Sequence, residues 1–505
     1  MYSSVTTISM MGLTLYQVAV ETDVSNGLPG ISMVGYASSQ VKEAQERVRT
    51  ALKNSGFSLP PRKITVNLAP AGVRKEGAHF DLPLALSILA AYGEILGKEL
   101  EGVMAAGELA LNGEVNPVPG ILPMADYARR HGIQRMIVPY ANQGEGQLLP
   151  GIQVAGVRTV REAYEYLKGE FQPERLPPAA EKPGNSREDF ADIQGQEGAK
   201  RAAEISASGF HNLLLIGPPG TGKSMIARRM PGILPKLTEE ESLEISSIYS
   251  ISGLLNDDTP KVEERPFRAP HHTVSPQALA GGGRIPKPGE ISLAHRGILF
   301  LDELTEFEKG TLEVLRQPLE ERRICISRNF GSYEYPADFL LVAAMNPCRC
   351  GYYPDLERCT CSIREIHQYL HKISQPFLDR MDLCAEVSRM DYRALISKRA
   401  GESTRAIKER VEKAHQIQKK RYSGTPYRFN GDLDRRGIVR FCALGKEEER
   451  FLEEVYKSLA LTARGYHKLI KVARTLADME GEERIRIPHL KEAAGFRSAD
   501  KRYWN

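Results

Sequence analysis

A glycine-rich loop near the middle of the chain constrains its fold more than any other feature. It follows an apolar run, Leu213–Ile216, that is typical of a buried β-strand, and it precedes a helical pattern that begins at Met225. Strand, glycine-rich loop and helix in this order distinguish a phosphate site from a chance sequence match. The predicted phosphate-binding residues are Gly217, Pro218, Pro219, Gly220, Thr221, Gly222, Lys223 and Ser224.

Each residue type in this loop has a physical role. The glycines allow backbone N–H groups to surround a polyphosphate, and the N-terminus of the following helix adds positive potential. Lys223 is expected to reach the β- and γ-phosphates, and Ser224 is expected to place its hydroxyl on Mg²⁺. The sequence therefore predicts a nucleotide-binding protein, with ATP and Mg²⁺ as cofactors.

The composition excludes several other classes of protein. A chain of 505 residues suggests about three domains, and a formal net charge of only +4 means that any surface for nucleic acid must be local. No apolar run approaches the roughly 18 residues needed to cross a bilayer, and the N-terminus lacks the pattern of a signal peptide. With seven cysteines, an odd number, these features predict a cytoplasmic protein in a reducing compartment, without a membrane partner.

Two further apolar runs predict the rest of a hydrolytic site. One ends at Asp302 and Glu303, and the other ends at Asn346. We expect Asp302 to hold Mg²⁺ and Glu303 to polarise the attacking water, because an Asp-Glu pair separates metal binding from base chemistry. Asn346 is expected to orient the same water beside the γ-phosphate. The alternative for the two carboxylates is an acidic strand end that caps the next turn.

Arg380 stands at the end of a predicted polar helix. An arginine in this position is expected to act as a finger that completes the site of a neighbouring subunit, which implies a homo-oligomer. The alternative is a salt bridge to Asp379 or Asp382.

Four cysteines form two close doublets separated by eight residues, and they are Cys348, Cys350, Cys359 and Cys361. Two such doublets can place four thiolates around Zn²⁺ in tetrahedral geometry. The alternative is a set of reduced cysteines without a metal. The adjacent residues His271 and His272 are not expected to share a metal ion, because neighbours on a loop rarely bind the same ion, so packing or a partner contact is favoured.

Residues 1–170 carry a separate α/β pattern, with a predicted strand over residues 64–68 and a buried helix over residues 82–92. The stretches 74–77 and 107–115 resemble the proteolytic domain of Lon proteases, which implies a fold like domain 2 of ribosomal protein S5. Lon-type catalysis uses a serine and a lysine at the positions that His79 and Leu122 hold here. Since this dyad needs a hydroxyl and an amine, we expect a non-catalytic platform for assembly or DNA contact.

A segment rich in proline, glutamate and lysine, residues 171–187, is expected to be a linker. It precedes a predicted P-loop ATPase core over residues 188–390 and a helical lid over residues 391–505. Residues 189–500 resemble the AAA+ ATPases of the magnesium-chelatase-like group, and specifically the ComM/YifB family. The stretches that carry this resemblance are 209–216, 265–273, 288–295 and 315–320.

The family resemblance implies roles for several polar residues. Asn346 matches the sensor 1 position, Arg380 the arginine finger and Arg464 the sensor 2 position. Arg474 is a second candidate for sensor 2 because it lies on the same predicted helix. Gln375 departs from the pattern, since a glycine is expected at this position.

Two insertions in the ATPase core are expected to line the central pore of a ring, as the resemblance implies. A glycine- and proline-rich loop at residues 280–289 carries Arg284 and Lys287, and a predicted hairpin at residues 324–335 carries Arg328. Basic side chains beside aromatic ones suit single-stranded or branched DNA, through phosphate contacts and base stacking. The alternative is a pair of solvated loops.

The resemblance implies an α/β protein with three parts: a Lon-like domain, an AAA+ core and a helical lid. It also implies an ATP hydrolase that works as a hexameric DNA helicase and promotes branch migration in homologous recombination of incoming DNA during natural transformation. The rival function is that of a magnesium-chelatase-type subunit, which remodels a protein partner. The Lon-like domain and the cysteine doublets favour the DNA motor, because a chelatase motor subunit is expected to carry neither.

Overall fold

The computed structural model describes residues 2–174, 188–256, 259–328, 331–389 and 401–504. Of the predicted linker, residues 175–187 lie outside the described residues. Two α/β units, each built around its own sheet, are followed by a set of C-terminal helices. The predicted α/β class, with a parallel sheet and a helical C-terminal region, is confirmed. Within the described ranges, no helix is both long enough and apolar enough to span a bilayer.

The first unit contains nine strands and six helices. The strands are β1 (Tyr2–Met11), β2 (Thr14–Ser25), β3 (Gly30–Val34), β4 (Lys63–Ala69), β5 (Val103–Ala105), β6 (Glu108–Leu109), β7 (Val115–Asn116), β8 (Arg135–Pro139) and β9 (Gln153–Val157). The helices are α1 (Ser39–Asn54), α2 (Asp81–Ala91), α3 (Gly97–Leu100), α4 (Ile121–Arg130), α5 (Gln143–Gly146) and α6 (Val160–Lys168). Seven strands form one mixed sheet in the order β3-β4-β2-β1-β5-β8-β9, and β6 pairs only with β7. The predicted strand over residues 64–68 and the predicted helix over residues 82–92 correspond to β4 and α2.

The second unit is built around the phosphate loop. Its strands are β10 (Leu213–Ile216), β11 (Phe267–Arg268), β12 (Gly281–Gly282), β13 (Lys287–Pro288), β14 (Ile298–Leu301), β15 (Arg323–Arg328), β16 (Gly331–Pro336), β17 (Leu340–Met345) and β18 (Leu383–Glu386). Its helices are α7 (Glu197–Gly209), α8 (Lys223–Ile233), α9 (Glu239–Ser252), α10 (Pro276–Ala280), α11 (Glu290–Leu293), α12 (Lys309–Val314), α13 (Arg316–Glu321), α14 (Ile363–Leu370) and α15 (Gln375–Leu378).

Five of these strands form a parallel sheet in the order β11-β14-β17-β10-β18. Every residue of β10, β14 and β17 is buried, as expected for parallel strands that are covered on both faces. Because side chains alternate along a strand, Leu213 and Leu215 pack on one face of the sheet and Leu214 and Ile216 on the other. The carboxyl ends of β14, β17 and β10 therefore lie side by side, where parallel α/β sheets place their ligands.

The C-terminal helices share a hydrophobic core with the parallel sheet. They are α16 (Thr404–Arg421), α17 (Arg435–Phe441), α18 (Lys446–Ser458), α19 (Ala463–Glu480) and α20 (Ile487–Trp504). Val411 of α16 and Leu469 of α19 are buried in the same cluster as Leu213 and Leu215 of β10. The region predicted as a lid thus packs directly onto one face of the sheet, the face on which Leu213 and Leu215 lie.

The first unit contacts the second through helices α4 and α9, which pack together. Ser250 lies at this contact: its hydroxyl donates to the Glu145 carboxylate over 2.6 Å, and its carbonyl oxygen accepts from the Gly120 N–H over 3.1 Å. Ser250 and Glu145 are both buried. Since a buried polar pair is costly to separate, this contact fixes the first unit against the ATPase core.

Candidate nucleotide site

The phosphate loop connects the end of β10 to the start of α8, as the sequence predicts. Gly220 and Gly222 have φ angles of +73° and +92°, which favour glycine. At Gly217, a Cβ atom would lie 2.1 Å from the Val387 carbonyl oxygen, so a side chain cannot be accommodated there. The backbone N–H groups at the N-terminus of α8 are therefore available to an anion.

Lys223 lies inside this loop with its ammonium group directed at oxygen atoms. Its Nζ donates to the carbonyl oxygens of Gly217 and Pro218, over 2.7 and 2.8 Å, and to Asn346 Oδ1 over 3.1 Å. Burial lowers the pKa of Lys223 from 10.5 to about 8, because desolvation outweighs the attraction of Asp302 and Glu303. A bound polyphosphate would place further negative charge beside this ammonium group and compensate for its desolvation.

Ser224 and Asp302 come together as a candidate Mg²⁺ site. The Ser224 hydroxyl donates to Asp302 Oδ2 over 2.6 Å, and Asp302 Oδ1 accepts from the backbone N–H of Glu303 over 3.0 Å. A hydroxyl and a carboxylate beside a phosphate loop form the oxygen-rich donor set that Mg²⁺ prefers. These residues therefore fit the metal expected at a nucleotide.

Glu303 lies next to Asp302 in an uncommon backbone conformation, with φ of +52°. Its side chain is 59% exposed. Glu303 Oε2 lies 3.3 Å from His272 Nδ1, and the His272 ring packs against His271 with centroids 4.0 Å apart. The sequence favoured packing or a partner contact for the histidine pair; in the structure the two rings pack together and His272 also lies against the predicted catalytic carboxylate.

Asn346 directly follows β17 and reaches the same site. Its Oδ1 accepts from Lys223 Nζ, which fixes the amide between the phosphate loop and the end of β14. Three neighbouring strand ends thus bring Lys223, Ser224, Asp302, Glu303 and Asn346 together. We did not anticipate Gln196, whose amide donates to the Thr221 carbonyl over 3.3 Å, because a single glutamine before a helix carries no spacing signal.

The predicted arginines lie apart from this cluster. Arg380 is 8% exposed, and its Nη2 pairs with Glu320 Oε1 over 2.6 Å; Arg464 reaches the same Glu320 oxygen over 3.4 Å. The partner of Arg380 is thus Glu320, and the predicted alternative partners Asp379 and Asp382 are not the ones observed. Gln375 begins α15, so the local helix forms without the expected glycine.

The position of Arg380 along the sheet is set by Asn212. The Asn212 side-chain amide donates to the Arg380 carbonyl over 3.0 Å, and Asn212 directly precedes β10. The phosphate loop begins after the other end of the same strand. Arg380 is therefore at the edge of the sheet opposite to the nucleotide site of its own chain.

Arg474, the second candidate for sensor 2, is buried among the C-terminal helices. It is 2% exposed, and it donates to the carbonyl oxygens of Glu482 and Glu483 over 2.5 and 2.6 Å. It also pairs with Asp478 over 3.0 Å. These contacts tie Arg474 to the end of α19, whereas the side chain of Arg464 is 60% exposed.

The four cysteines of the two doublets are brought together. The Sγ atoms of Cys348, Cys350, Cys359 and Cys361 all lie within 4.8 Å of one another, and none of these cysteines forms a disulfide. The cluster lies directly after Asn346, between β17 and α14.

The two basic segments predicted to bind DNA are adjacent hairpins. β12 pairs antiparallel with β13, and β15 pairs antiparallel with β16. Arg328 Nε donates to the Gly283 carbonyl over 3.4 Å, and the Tyr335 hydroxyl donates to the Pro286 carbonyl over 2.7 Å. Arg284, Lys287 and Arg328 are all exposed. Asn329 and Phe330, which lie between β15 and β16 in the sequence, are outside the described residues.

In the first unit, the positions that would hold a Lon-type dyad are occupied by buried side chains. His79 Nε2 lies 2.7 Å from the Ile8 carbonyl oxygen, and burial lowers the pKa of His79 from 6.5 to about 4. Leu122 is 1% exposed and packs in the core of this unit. Both residues have structural contacts.

Three family models for magnesium chelatase match the chain. The model "Magnesium chelatase, subunit ChlI" matches residues 189–395, "Subunit ChlI of Mg-chelatase" matches residues 20–142, and "Magnesium chelatase, subunit ChlI C-terminal" matches residues 401–497. The matched ranges include the phosphate loop, Asp302, Glu303 and Asn346. Membership of this group indicates an ATPase that uses ATP and Mg²⁺.

Two bacterial relatives are similar over nearly the whole chain. The uncharacterized protein YifB of Salmonella typhimurium is 43% identical over 501 residues, covering 98% of this chain and 97% of the relative. The competence protein ComM of Haemophilus influenzae is 43% identical over 498 residues, covering 97% and 96%. The magnesium-chelatase 38 kDa subunit of Rhodobacter capsulatus is 25% identical over 334 residues, covering 60% and 85%. The chain therefore belongs to the ComM/YifB family of magnesium-chelatase-like proteins.

Proposed function

We propose that this protein is an ATP-driven AAA+ motor that acts on DNA as a hexameric ring. As a helicase, it would promote branch migration. The process it would serve is homologous recombination of incoming DNA during natural transformation. The observation that carries the DNA part is the pair of adjacent hairpins with three exposed basic residues. The similarity to a competence protein supports it.

The residues of the nucleotide site have distinct tasks in ATP hydrolysis. Lys223 and the loop N–H groups bind the β- and γ-phosphates, while Ser224 and Asp302 hold Mg²⁺, which would neutralise phosphate charge. Glu303 orients the attacking water and accepts its proton, and Asn346 fixes that water beside the γ-phosphate. For this to occur, the Glu303 carboxylate has to leave His272 and turn towards the phosphate.

The placement of Arg380 supports a ring assembly, because this residue lies away from the nucleotide site of its own chain. Its guanidinium is buried, and burial lowers its pKa by more than the attraction of Glu320 raises it. Its Nε has no hydrogen-bond partner among the described residues. A buried, incompletely paired guanidinium favours an anion from a neighbouring molecule, such as a γ-phosphate. Arg464, which reaches the same carboxylate, would act beside it.

The first unit serves as a non-catalytic, Lon-like platform in this proposal. His79 and Leu122 supply neither the hydroxyl nor the amine of a peptidase dyad. The turn between β1 and β2 lies against the second basic hairpin, since a Cβ atom on Gly12 would be 3.2 Å from the Glu334 carbonyl oxygen. The first unit would therefore support the second basic hairpin through its β1–β2 turn.

The test is the ATPase rate with and without single-stranded and forked DNA. DNA should raise the rate of the wild-type chain, and a triple variant should lose this stimulation: Arg284→Ala, Lys287→Ala and Arg328→Ala. The slope of log affinity against log salt should fall by about 2 for single-stranded DNA, since each lost phosphate contact contributes about 0.7. Lys419→Ala with Lys420→Ala is the matched control, because these exposed lysines lie at the end of α16 and belong to neither hairpin.

Two results would contradict the proposal. If no DNA changes the ATPase rate, the motor acts on a protein partner, as in the magnesium-chelatase type of subunit. If the control variant loses DNA stimulation as strongly as the triple variant, binding is a general charge effect and the hairpins are not the DNA site.

A further inference from the structure

The loop between β17 and α14 has no regular secondary structure over residues 346–362. Loops of this length inside a compact domain are uncommon, and they need a source of order other than backbone ladders. The four clustered cysteines lie on this loop, and Cys348 is fully buried. A bound metal is one such source of order, because it joins distant parts of a loop through side chains.

The sulfur separations among Cys348, Cys350 and Cys359 are close to those of a tetrahedral thiolate site, and Cys361 Sγ lies within 4.8 Å of all three. Cys348 Sγ lies 3.3 Å from Cys350 Sγ and 3.7 Å from Cys359 Sγ. The Sγ atoms of Cys350 and Cys359 are 3.6 Å apart. Four thiolates at a Zn–S distance of about 2.3 Å in a tetrahedron are about 3.8 Å apart. A disulfide would require about 2.05 Å. The Tyr353 N–H also points at Cys348 Sγ over 3.4 Å, as a donor to a metal-bound thiolate would.

The same loop touches the nucleotide site at two places. Asn346, two residues before Cys348, accepts from Lys223 Nζ over 3.1 Å. Gly351, directly after Cys350, lies against the phosphate loop: a Cβ atom there would be 2.5 Å from Pro219 Cδ, and its φ is +86°. Cys348 and Cys350 thus lie between two residues that touch the nucleotide site: Asn346, which contacts Lys223, and Gly351, which contacts Pro219 of the phosphate loop.

We infer that the four cysteines bind one Zn²⁺ ion, and that the zinc-bound loop positions Asn346 and Pro219 at the nucleotide. The metal holds Cys348 and Cys350 in place, and the residues next to them transmit that order to the site. Zinc suits this task because it has no redox chemistry of its own and forms closed tetrahedral sites with thiolates. This role requires nucleotide binding at the phosphate loop but does not depend on DNA as the substrate.

The metal itself is tested on the purified full-length chain under reducing conditions. Elemental analysis should find one zinc per chain in the wild type and in Cys325→Ser, whose exposed cysteine lies outside the cluster. The double variant Cys350→Ser with Cys361→Ser should contain none. Cobalt exchanged into the wild type should give the visible absorption bands of a tetrahedral thiolate site. If the wild type neither carries zinc nor takes up zinc or cobalt, the metal site is wrong.

The positioning role is tested with Gly351→Ala, which leaves every cysteine in place. Gly481→Ala is the matched control: its φ of +76° strains alanine similarly, but no atom lies within 4 Å of the added Cβ. Both variants should retain zinc, whereas only Gly351→Ala should weaken binding of a fluorescent ATP analogue, by about tenfold, which corresponds to 1.4 kcal/mol. Equal dissociation constants in the two variants would overturn the positioning role.

Removal of zinc gives a second measurement that needs no substitution. Stripping the wild-type chain with a chelator should raise the dissociation constant of the ATP analogue, and zinc should restore it. Unchanged binding after removal, with circular dichroism showing a folded chain, would also overturn the positioning role. Because neither measurement includes DNA, these outcomes are separate from those that test the motor proposal.

Discussion

The strongest prediction concerns the charge of Lys223 in the empty nucleotide site. Burial lowers its pKa from 10.5 to about 8. A shift of this size corresponds to about 3 kcal/mol of disfavoured charge, at 1.36 kcal/mol per pKa unit. Bound triphosphate adds negative charge beside the ammonium group and raises the pKa again. ATP binding above pH 8 should therefore be accompanied by proton uptake at Lys223.

The magnitude follows from the fraction of charged lysine. With a pKa of about 8, Lys223 in the empty site is about 90% charged at pH 7 and about 10% charged at pH 9. If ATP binds only to the charged form, the dissociation constant should rise about tenfold between these pH values. At pH 8.5, each binding event should take up about 0.8 proton.

The assay is isothermal titration calorimetry with a non-hydrolysable ATP analogue and Mg²⁺. At pH 8.5, titrations in two buffers of different ionisation enthalpy give the number of protons taken up, while titrations at pH 7, 8 and 9 give the dissociation constants. Lys223→Arg is the control, because a guanidinium group remains charged throughout this range. Its overall affinity is not the readout, but its dependence on pH should be absent.

Two results would refute this reasoning. A dissociation constant that stays constant from pH 7 to pH 9 would mean that Lys223 is fully charged in the empty site and that burial does not depress its pKa. An equal pH dependence in wild type and Lys223→Arg would assign the proton to another group.

Three other predictions follow from the same structure. Glu303→Gln should lower ATP hydrolysis by about 10²–10⁴-fold while equilibrium ATP binding persists, since only the base is lost; equal loss of binding would contradict this role. Arg380→Ala should also lower hydrolysis. Mixing the Arg380→Ala and Glu303→Gln variants should restore part of the phosphate release, because some interfaces between the two kinds of subunit then contain an intact Glu303 from one subunit and an intact Arg380 from the other. No restoration would exclude an arginine finger that acts between subunits. His211 is buried with its pKa lowered to about 4, so stability is present above pH 6.5 and is lost as the pH falls towards 4. Urea unfolding should show a loss of about 2 kcal/mol from this residue between pH 7 and pH 5, and His211→Gln should lack this part of the loss; an equal loss in the variant would refute the assignment.

The arrangement of the candidate nucleotide site could be predicted because its geometry follows from local rules. A phosphate loop fixes the relation of Lys223 and Ser224 within a few residues. Asp302 and Asn346 each end a fully apolar strand, and parallel strands bring their carboxyl ends to one edge of a sheet. Apolar run lengths and glycine spacing were therefore sufficient to place these residues near one another before any tertiary contact was known.

The contact between His272 and Glu303 could not be predicted in the same way. Neither residue has a spacing rule that relates it to the other, and their distance depends on how the segment after β11 crosses the end of β14. The left-handed conformation of Glu303 is also absent from any propensity, since glutamate rarely adopts it. Similarly, the helical pattern over residues 391–505 predicted a helical lid but not that its helices share a core with the sheet.

The pairing of Arg380 with Glu320 shows why the proposed role of Arg380 as an arginine finger is hard to recognise in a single chain. Both Arg380 and Arg464 reach one carboxylate that is 50% exposed, and the pair with Arg464, which is itself 60% exposed, contributes only about 0–1 kcal/mol. Glu320 therefore holds Arg464 weakly and shares its charge with the buried Arg380, at the edge of the sheet that lies opposite the phosphate loop of the same chain. A triphosphate from a neighbouring subunit carries more charge than one carboxylate and would displace it. In the proposed assembly, the buried Nε of Arg380 would gain the partner that it lacks among the described residues, and both arginines would respond to ATP bound by the neighbouring subunit.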